Sequence, residues 1–329
     1  QIERAVMVER FYQRDRHYVI RGDEVVIVDE ATGRLAEGRQ WRDGLHQAIQ
    51  SREGVEVTPP TGDAARITLQ NFFGRYQFLA GMTGTANNAR RELRTIYGTP
   101  VKVVPTHRPP QRIHAEPHVF ADETSKWQGI CDEIRDLVET GRPALVGTRS
   151  IDRSEVLSAQ LTDRGIEHAV LNARHADREA KIVAEAGKLG RVTVATNMAG
   201  RGTDILLDDA VRELGGLHVI CSELHESSRI DRQLIGRCGR QGDPGSYRHY
   251  FALDDEILRL GFGDEAAKRF ASQSPESRSP RQWATLFLKA QRRVENEHFR
   301  QRRMLQLGEK QRLELQEQMG LDPFMDAVG

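Results

Sequence analysis

The stretch Val192 to Leu207, VTVATNMAGRGTDILL, changes character in its middle. Val192 to Ala195 is a short β-branched run of the kind that forms a buried strand, and the residues after it turn to Asn, Gly, Arg, Thr and Asp. A strand therefore ends where a polar loop begins. In open α/β sheets, ligands collect where parallel strands end, and Gly200 and Gly202 let the backbone turn tightly or approach a ligand closely. Arg201 offers a guanidinium suited to phosphate, and Asp204 a carboxylate suited to ribose hydroxyls or a metal-bound water. Taken alone, the GRG triplet also fits a glycine-rich surface turn.

A second stretch, Gly236 to Ser246 (GRCGRQGDPGS), follows the helix-like HESSRIDRQLI. Arg237 and Arg240 are spaced i, i+3, so they project from one side of a helix end. Two guanidiniums on one side suit a phosphate in transfer, where they stabilise the charge that develops. A salt-bridged helix end before a turn is the simpler alternative. Together the two stretches resemble motifs V and VI of the superfamily 2 motor ATPases. TNMAGRGTDI and GRCGRQGDPGS are more similar still to the SecA family of preprotein translocase motors.

Composition sets wider bounds. The 329 residues suggest about two domains. Lys plus Arg and Asp plus Glu number 48 each, so no net field draws the chain to nucleic acid or anionic lipid. Cys131, Cys221 and Cys238 lack CxxC spacing, which argues against a zinc site or a disulfide frame and fits a reducing compartment. His168, His175, His218, His225 and His249 share no i, i+4 ligand spacing, so no metal site is expected. No apolar run approaches the roughly 20 residues that span a bilayer, so the expectation is a soluble chain that touches membranes only from outside. It opens on Gln1 with a pattern already under way, which suggests part of a longer protein.

In chain order, residues 1 to 18 read as an amphipathic helix and HYVIRG and VVIVDE as a hairpin about Gly22-Asp23. Asp29 and Glu30 imitate a metal-holding Walker B pair, but a hairpin strand followed by EATGR is the wrong setting for one. TPPTGD is a first linker; ITLQNFFGRYQFLAGMTGTA reads as a helix and a small-residue loop containing Thr83 and Thr85; VKVVPTHRPPQR reads as a strand and a proline-rich crossing. From about Ile113 to Leu253 the pattern alternates. Helices are expected at Ser125 to Glu139, Arg153 to Asp163, Ala176 to Ala186 and Glu226 to Ile235. Strands are expected at Ala144 to Gly147, His168 to Leu171, Val192 onward, Leu217 to Cys221 and Arg248 to Leu253. Strands separated by single helices imply parallel crossovers, hence an α/β fold with a RecA-like sheet flanked by helices. After a polar, glycine-broken segment, Arg281 to Gln318 reads as one long helix with Trp283, Phe287, Ala290 and Val294 in a stripe. Its arginines form a basic face, but interleaved acidic residues favour a solvated scaffold over an RNA-binding helix.

The resemblance to the SecA family covers nearly the whole chain. VIVDEATGR and its sequel resemble the end of the preprotein crosslinking domain, GMTGTA motif III, VGTRSIDRSE the motif IV region, and AQRRVE the start of the helical scaffold. It implies boundaries at 1–60, 61–108, 109–275 and 276–329. It also implies that Asp204, with Arg201, Gly200 and Gly202, contacts nucleotide, that Arg237 and Arg240 act as arginine fingers, and that Thr83 and Thr85 form a coupling loop. ATP and Mg²⁺ are the implied cofactors. The implied partners are unfolded preproteins, the Sec channel, an anionic membrane surface met peripherally, and a second copy of the chain, with a cytoplasmic location on the inner membrane and no specific nucleic acid.

There are departures. Ile235 and Cys238 stand where arginine and serine are usual, Leu224 and Ser228 replace expected arginines, the loop from Asp204 to Gly215 is short, and LGEKQR replaces a familiar scaffold motif. No GxxxxGK[ST] occurs, so the backbone cradle and lysine that hold β- and γ-phosphates are not found in these 329 residues. The expectation is that this chain alone neither binds ATP tightly nor hydrolyses it. Two rivals stay open: part of a superfamily 2 nucleic-acid helicase, and a catalytically silent interaction module.

Overall fold

A computed structural model describes residues 2–29, 35–42, 44–59, 67–171, 179–196 and 203–320. The chain divides into two compact units, Gln1–Pro60 with Thr106–Gln291, and Thr61–Pro105 with Arg292–Gly329.

The first unit opens with helix α1 (Ile2–Phe11) and strands β1 (Tyr18–Arg21), β2 (Glu24–Val28) and β3 (Leu35–Ala36), followed by α2 (Leu45–Glu53). β1 and β2 form the expected antiparallel hairpin, with Gly22 at φ 62° in its turn. Val8, Tyr18, Val25 and Ile49 bury one face against α1 and α2. Val19, Val26 and Val28 pack with Ile151, which belongs to the larger sheet's α/β layer. In the second unit lie α3 (Leu69–Gly74) and α4 (Arg90–Tyr97). Val101 to Val104, read above as a strand, pairs with no strand among the described residues. Its β-branched composition is not matched by a ladder partner, and Val103 and Val104 stay exposed.

From Gln111 the first unit resumes as β4 (Gln111–His114), β5 (His118–Phe120), α5 (Glu123–Glu139), β6 (Ala144–Thr148), α6 (Ile151–Asp163), β7 (Ala169–Leu171), α7 (Glu179–Glu185), β8 (Val192–Thr196), α8 (Asp209–Glu213), β9 (Leu217–Cys221), α9 (Ser228–Ile235) and β10 (Pro244–Ala252). The strand order is β4-β10-β9-β6-β8-β7, with β5 also on β10. Every pairing in this seven-stranded sheet is parallel, as the crossover helices require. This is the RecA-like α/β fold. β6, β8 and β9 are buried along their whole length. Ile130, Ile134, Leu157 and Leu161 cover one face over Val146, Val194 and Ile220; Val183 and Val211 cover the other over Leu145, Ala195 and Val219. Side-chain caps start the helices on the first face: Asp122 accepts from the Ser125 N–H at 2.8 Å, and Ser150 from Arg153 at 3.2 Å.

β10 begins at Pro244 rather than Arg248, because proline lacks only an N–H and can open a strand even inside a turn-like GDPG. The segment read as glycine-broken holds α10 (Glu256–Phe262) and α11 (Asp264–Ala271). Gly261 sits inside α10, where a Cβ would lie 2.6 Å from Ala290 Cα. It marks close helix packing rather than a break. The last helix, α12, runs Pro280–Gln318. Trp283, Phe287 and Ala290 are fully buried on its stripe, and Phe287 stacks on Phe251 of β10 at 4.4 Å.

Within the second unit, Arg302 of α12 forms a bidentate pair with Glu92 of α4 at 2.5 and 2.9 Å. Glu309 accepts from the Thr68 N–H at 3.1 Å and from its hydroxyl, at the start of α3. Among the described residues no helix is long and apolar enough to cross a membrane.

Candidate functional site

Parallel strands end at Thr148, Thr196 and Cys221, and the loops leaving them converge. The loop after β8 meets the end of α9. Arg240 Nη1 donates to Asp204 Oδ1 at 2.7 Å, and its Nε to the Gly236 carbonyl at 2.6 Å. Arg237 Nη1 donates to the Thr203 carbonyl at 3.1 Å. Sequence-distant Asp204, Arg237 and Arg240 are thus one cluster. Arg240 and Asp204 are each a little over a third exposed, so the pair faces solvent rather than the core. Its two bonds use two of the five N–H donors of the guanidinium and fix its plane. Arg201, Gly200 and Gly202 lie outside the described residues.

The turn beyond Arg237 needs unusual backbone. Gly239 and Gly242 have φ of 60° and 83°, and between them Gln241 adopts φ 54°, a left-handed conformation uncommon for a side-chain-bearing residue. Arg112 of β4 holds this turn by donating Nε and Nη2 to the Cys238 carbonyl at 2.9 and 2.6 Å. Cys238 itself is buried with its thiol against the Ile235 and Ser246 carbonyls. Burial pushes that thiol up despite Arg112, so it is a packing group here and not a nucleophile.

Thr83 and Thr85 belong to the second unit. Their hydroxyls are 3.2 Å apart, and the Thr85 N–H donates to Thr83 Oγ1 at 3.3 Å, a compact ST-type turn.

Sequence reading missed a charged cluster behind the strand ends. Glu223, between β9 and α9, is buried and accepts from Arg153 Nη1 at 2.5 Å and from the Arg149 N–H at 3.4 Å. Arg149 also reaches Glu226 at 3.4 Å and Glu256 at 3.3 Å. Fully buried Lys126 of α5 donates to Asp255 at 2.5 Å, and Asp255 also accepts from the Ala252 N–H at 2.9 Å. Burial works to raise the carboxyl of Glu223, but Arg153, Lys126 and Arg149 outweigh it and hold that carboxyl below the usual range. For Asp255 burial wins, and its carboxyl is raised in spite of Lys126. The signal for this cluster was three-dimensional: its members come from four separate loops and helix starts with no common spacing. Among the described residues no group of three or more His, Cys, Asp or Glu is placed to hold a metal ion.

The family model described as the SecA P-loop domain matches residues 109–211 and 207–275, and that of the SecA preprotein cross-linking domain matches residues 1–50. The chain is 57% identical over 333 residues to "Protein translocase subunit SecA 2" of Rhodopirellula baltica, covering 99% of this chain and 51% of that protein. It is 48% identical over 308 residues to "Protein translocase subunit SecA" of Caldicellulosiruptor saccharolyticus, covering 92% of this chain and 36% of the relative. Among solved structures, it is similar to the E. coli DEAD-box protein SrmB bound to RraA, at 21% identity and a TM-score of 0.36, covering 49% of this chain and 86% of that one. The chain thus spans about half of the length of the first of these SecA relatives and about a third of the second. A parallel sheet whose strand ends gather Asp204 and two arginines, and family matches over residues 1–50 and 109–275 together with the relatives' identity, lead to one conclusion: the chain belongs to the SecA family.

Proposed function

We propose that this chain forms the second half of the ATP site of a SecA-type motor, which drives unfolded preproteins through the Sec membrane channel. The observation that carries this reading is the Asp204–Arg240 pair at the carboxyl ends of the parallel strands, with Arg237 beside it on the Thr203 carbonyl. Half-exposed guanidiniums held in plane by a carboxylate and a carbonyl are suited to a phosphate arriving from solvent. When bound, ATP and Mg²⁺ supply the transferable phosphoryl group and the cation that neutralises it. The chain's own contribution is positional. Asp204 and the Gly236 carbonyl orient Arg240, the Thr203 carbonyl orients Arg237, and the Arg112 clamp on Cys238 keeps the intervening turn in shape. Arg201, Gly200 and Gly202 complete the nucleotide side of the loop in this reading, and Thr83 and Thr85 relay its state. The boundaries 1–60, 61–108, 109–275 and 276–329 belong to the same proposal, as do a peripheral position on the cytoplasmic face of the membrane, anionic lipid contact and pairing of two copies.

ATP binding and hydrolysis by this chain alone, and by this chain mixed with a separately made N-terminal half carrying GxxxxGK[ST], test the reading. The expected result is activity only on mixing, abolished by Arg240→Ala. Tight nucleotide binding by the chain alone would overturn the half-site assignment. A mixture that stays inactive would favour the silent interaction module.

A further inference from the structure

The apolar stripe by which the start of α12 docks in the first unit is interrupted by one amide. Trp283, Phe287 and Ala290 are apolar and fully buried, yet Gln291 beside them is equally inaccessible at 2% exposure. A buried amide loses its hydration and recovers that cost only through well-formed hydrogen bonds. Gln291 Nε2 donates to Asp231 Oδ2 at 2.5 Å and to the His225 carbonyl at 2.7 Å. Asp231, in the first turn of α9, is itself buried; its Oδ1 accepts from the His225 N–H at 3.1 Å and from His225 Nδ1 at 2.6 Å. A carboxylate can only accept here, so Nδ1 carries the imidazole proton. Three side chains from α12, α9 and the loop between β9 and α9 therefore close one fully buried ring of hydrogen bonds.

α9 leads directly into Gly236, Arg237 and Arg240. With the first turn of α9 fixed by Asp231, its other end is set one and a half turns on, where the Gly236 carbonyl receives Arg240. We infer that Gln291 and Asp231 are positioning residues for the two arginines: the amide of α12 fixes the placement of α9, and through α9 the reach of Arg237 and Arg240 toward phosphate. The inference rests on the phosphate-facing reading of those arginines. An apolar residue at 291 would continue the stripe but leave Asp231 Oδ2 and the His225 carbonyl without this donor, so the amide is there for what it bonds to. The ring's bonds run among Gln291, Asp231 and His225, and those of Arg240 to Asp204 and the Gly236 carbonyl, so the link between the two sets runs through the backbone of α9.

Two measurements test this independently. In the full-length protein, Gln291→Leu keeps the volume but removes both bonds; the expected result is kcat lowered about tenfold or more with nucleotide Kd changed less than about threefold. Gln291→Glu sets a carboxylate against Asp231 and is expected to lower kcat further, and adding Asp231→Asn to it is expected to recover part of that loss, since the donor and acceptor are then exchanged. An unchanged kcat in Gln291→Leu, or no recovery in the double variant, overturns the positioning role. In this chain, hydrogen exchange of the amides of residues 228–240 is expected to quicken in Gln291→Leu while those of β6 hold; unchanged protection there overturns the latch itself. A full-length protein that hydrolyses no ATP refutes the motor reading instead, and the exchange result still decides the latch.

Discussion

Gly147 of the central strand β6 lies so close to Leu234 of α9 that a Cβ added to the glycine would sit 2.1 Å from Leu234 Cδ2. The helix that delivers Arg237 and Arg240 thus rests on bare backbone. Gly147→Ala requires the Leu234 side chain to move off the strand, and overpacking of this kind costs about 1–3 kcal/mol. Chemical denaturation of the chain should show that loss. Leu234→Ala introduced alongside should return part of it, because the contact that clashes is then absent.

Arg240→Ala removes the guanidinium that Asp204 orients. In the full-length protein, ATP turnover should fall by about a thousandfold or more, the range found for arginine fingers. Arg240→Lys keeps the charge but not the planar fork, and should recover little. Steady-state hydrolysis assays decide both, and near-normal turnover in Arg240→Ala would remove this residue from the catalytic assignment.

Lys126 and Asp255 form an ion pair with almost no access to water. Lys126→Met leaves Asp255 and Glu223 buried without that cation, and breaking such a pair from one side costs about 3–5 kcal/mol. Lys126→Met with Asp255→Asn should be the more stable variant of the two, since the unpaired charge is gone. A thermal or urea melt that ranks them the other way would contradict the arrangement.

Burial holds His249 down to about 4, with His114 adding to the effect and Asp231 opposing it. The unfolded chain takes up a proton near the ordinary histidine value of 6.5, while the folded chain does so only near 4. Between those values the unfolded state binds more protons, so stability falls as pH drops, by about 3 kcal/mol for this group across the window. His249→Phe should flatten that part of the profile. Denaturation at pH 7.5 and pH 5 should show the wild type losing more stability than the variant.

The α/β alternation was legible because β6, β8 and β9 are short, mostly apolar runs, buried throughout, and each is followed by a segment of helical spacing. The expected strand at Leu217 to Cys221 coincides with β9. Elements that depend on distant partners were harder to see. β4 and β5 are four and three residues long and gain their stability from β10, more than a hundred residues away in sequence. Gly261 looked like a helix breaker because its reason for being glycine is Ala290, on another helix. Asp204, Arg237 and Arg240 could be picked out since they stand in glycine-rich loops next to a strand end and a helix end and carry side chains suited to phosphate or ribose. Gln291 could not, because a polar residue in a stripe looks like noise until Asp231 is found opposite it.

The position of β10 sets the order in which the chain can assemble as it leaves a ribosome. Its neighbours β4 and β5 are made first among the strands of the large sheet, and β10 last, so the early strands emerge with their edges unsatisfied. They must wait until residue 252 is synthesised, through more than a hundred residues of growth. Such a nascent chain shows open strand edges and apolar surface throughout that interval, the features that attract chaperones and favour aggregation. A ribosome stalled just before Pro244 would therefore carry a large sheet that has most of its strands and lacks the one that closes it.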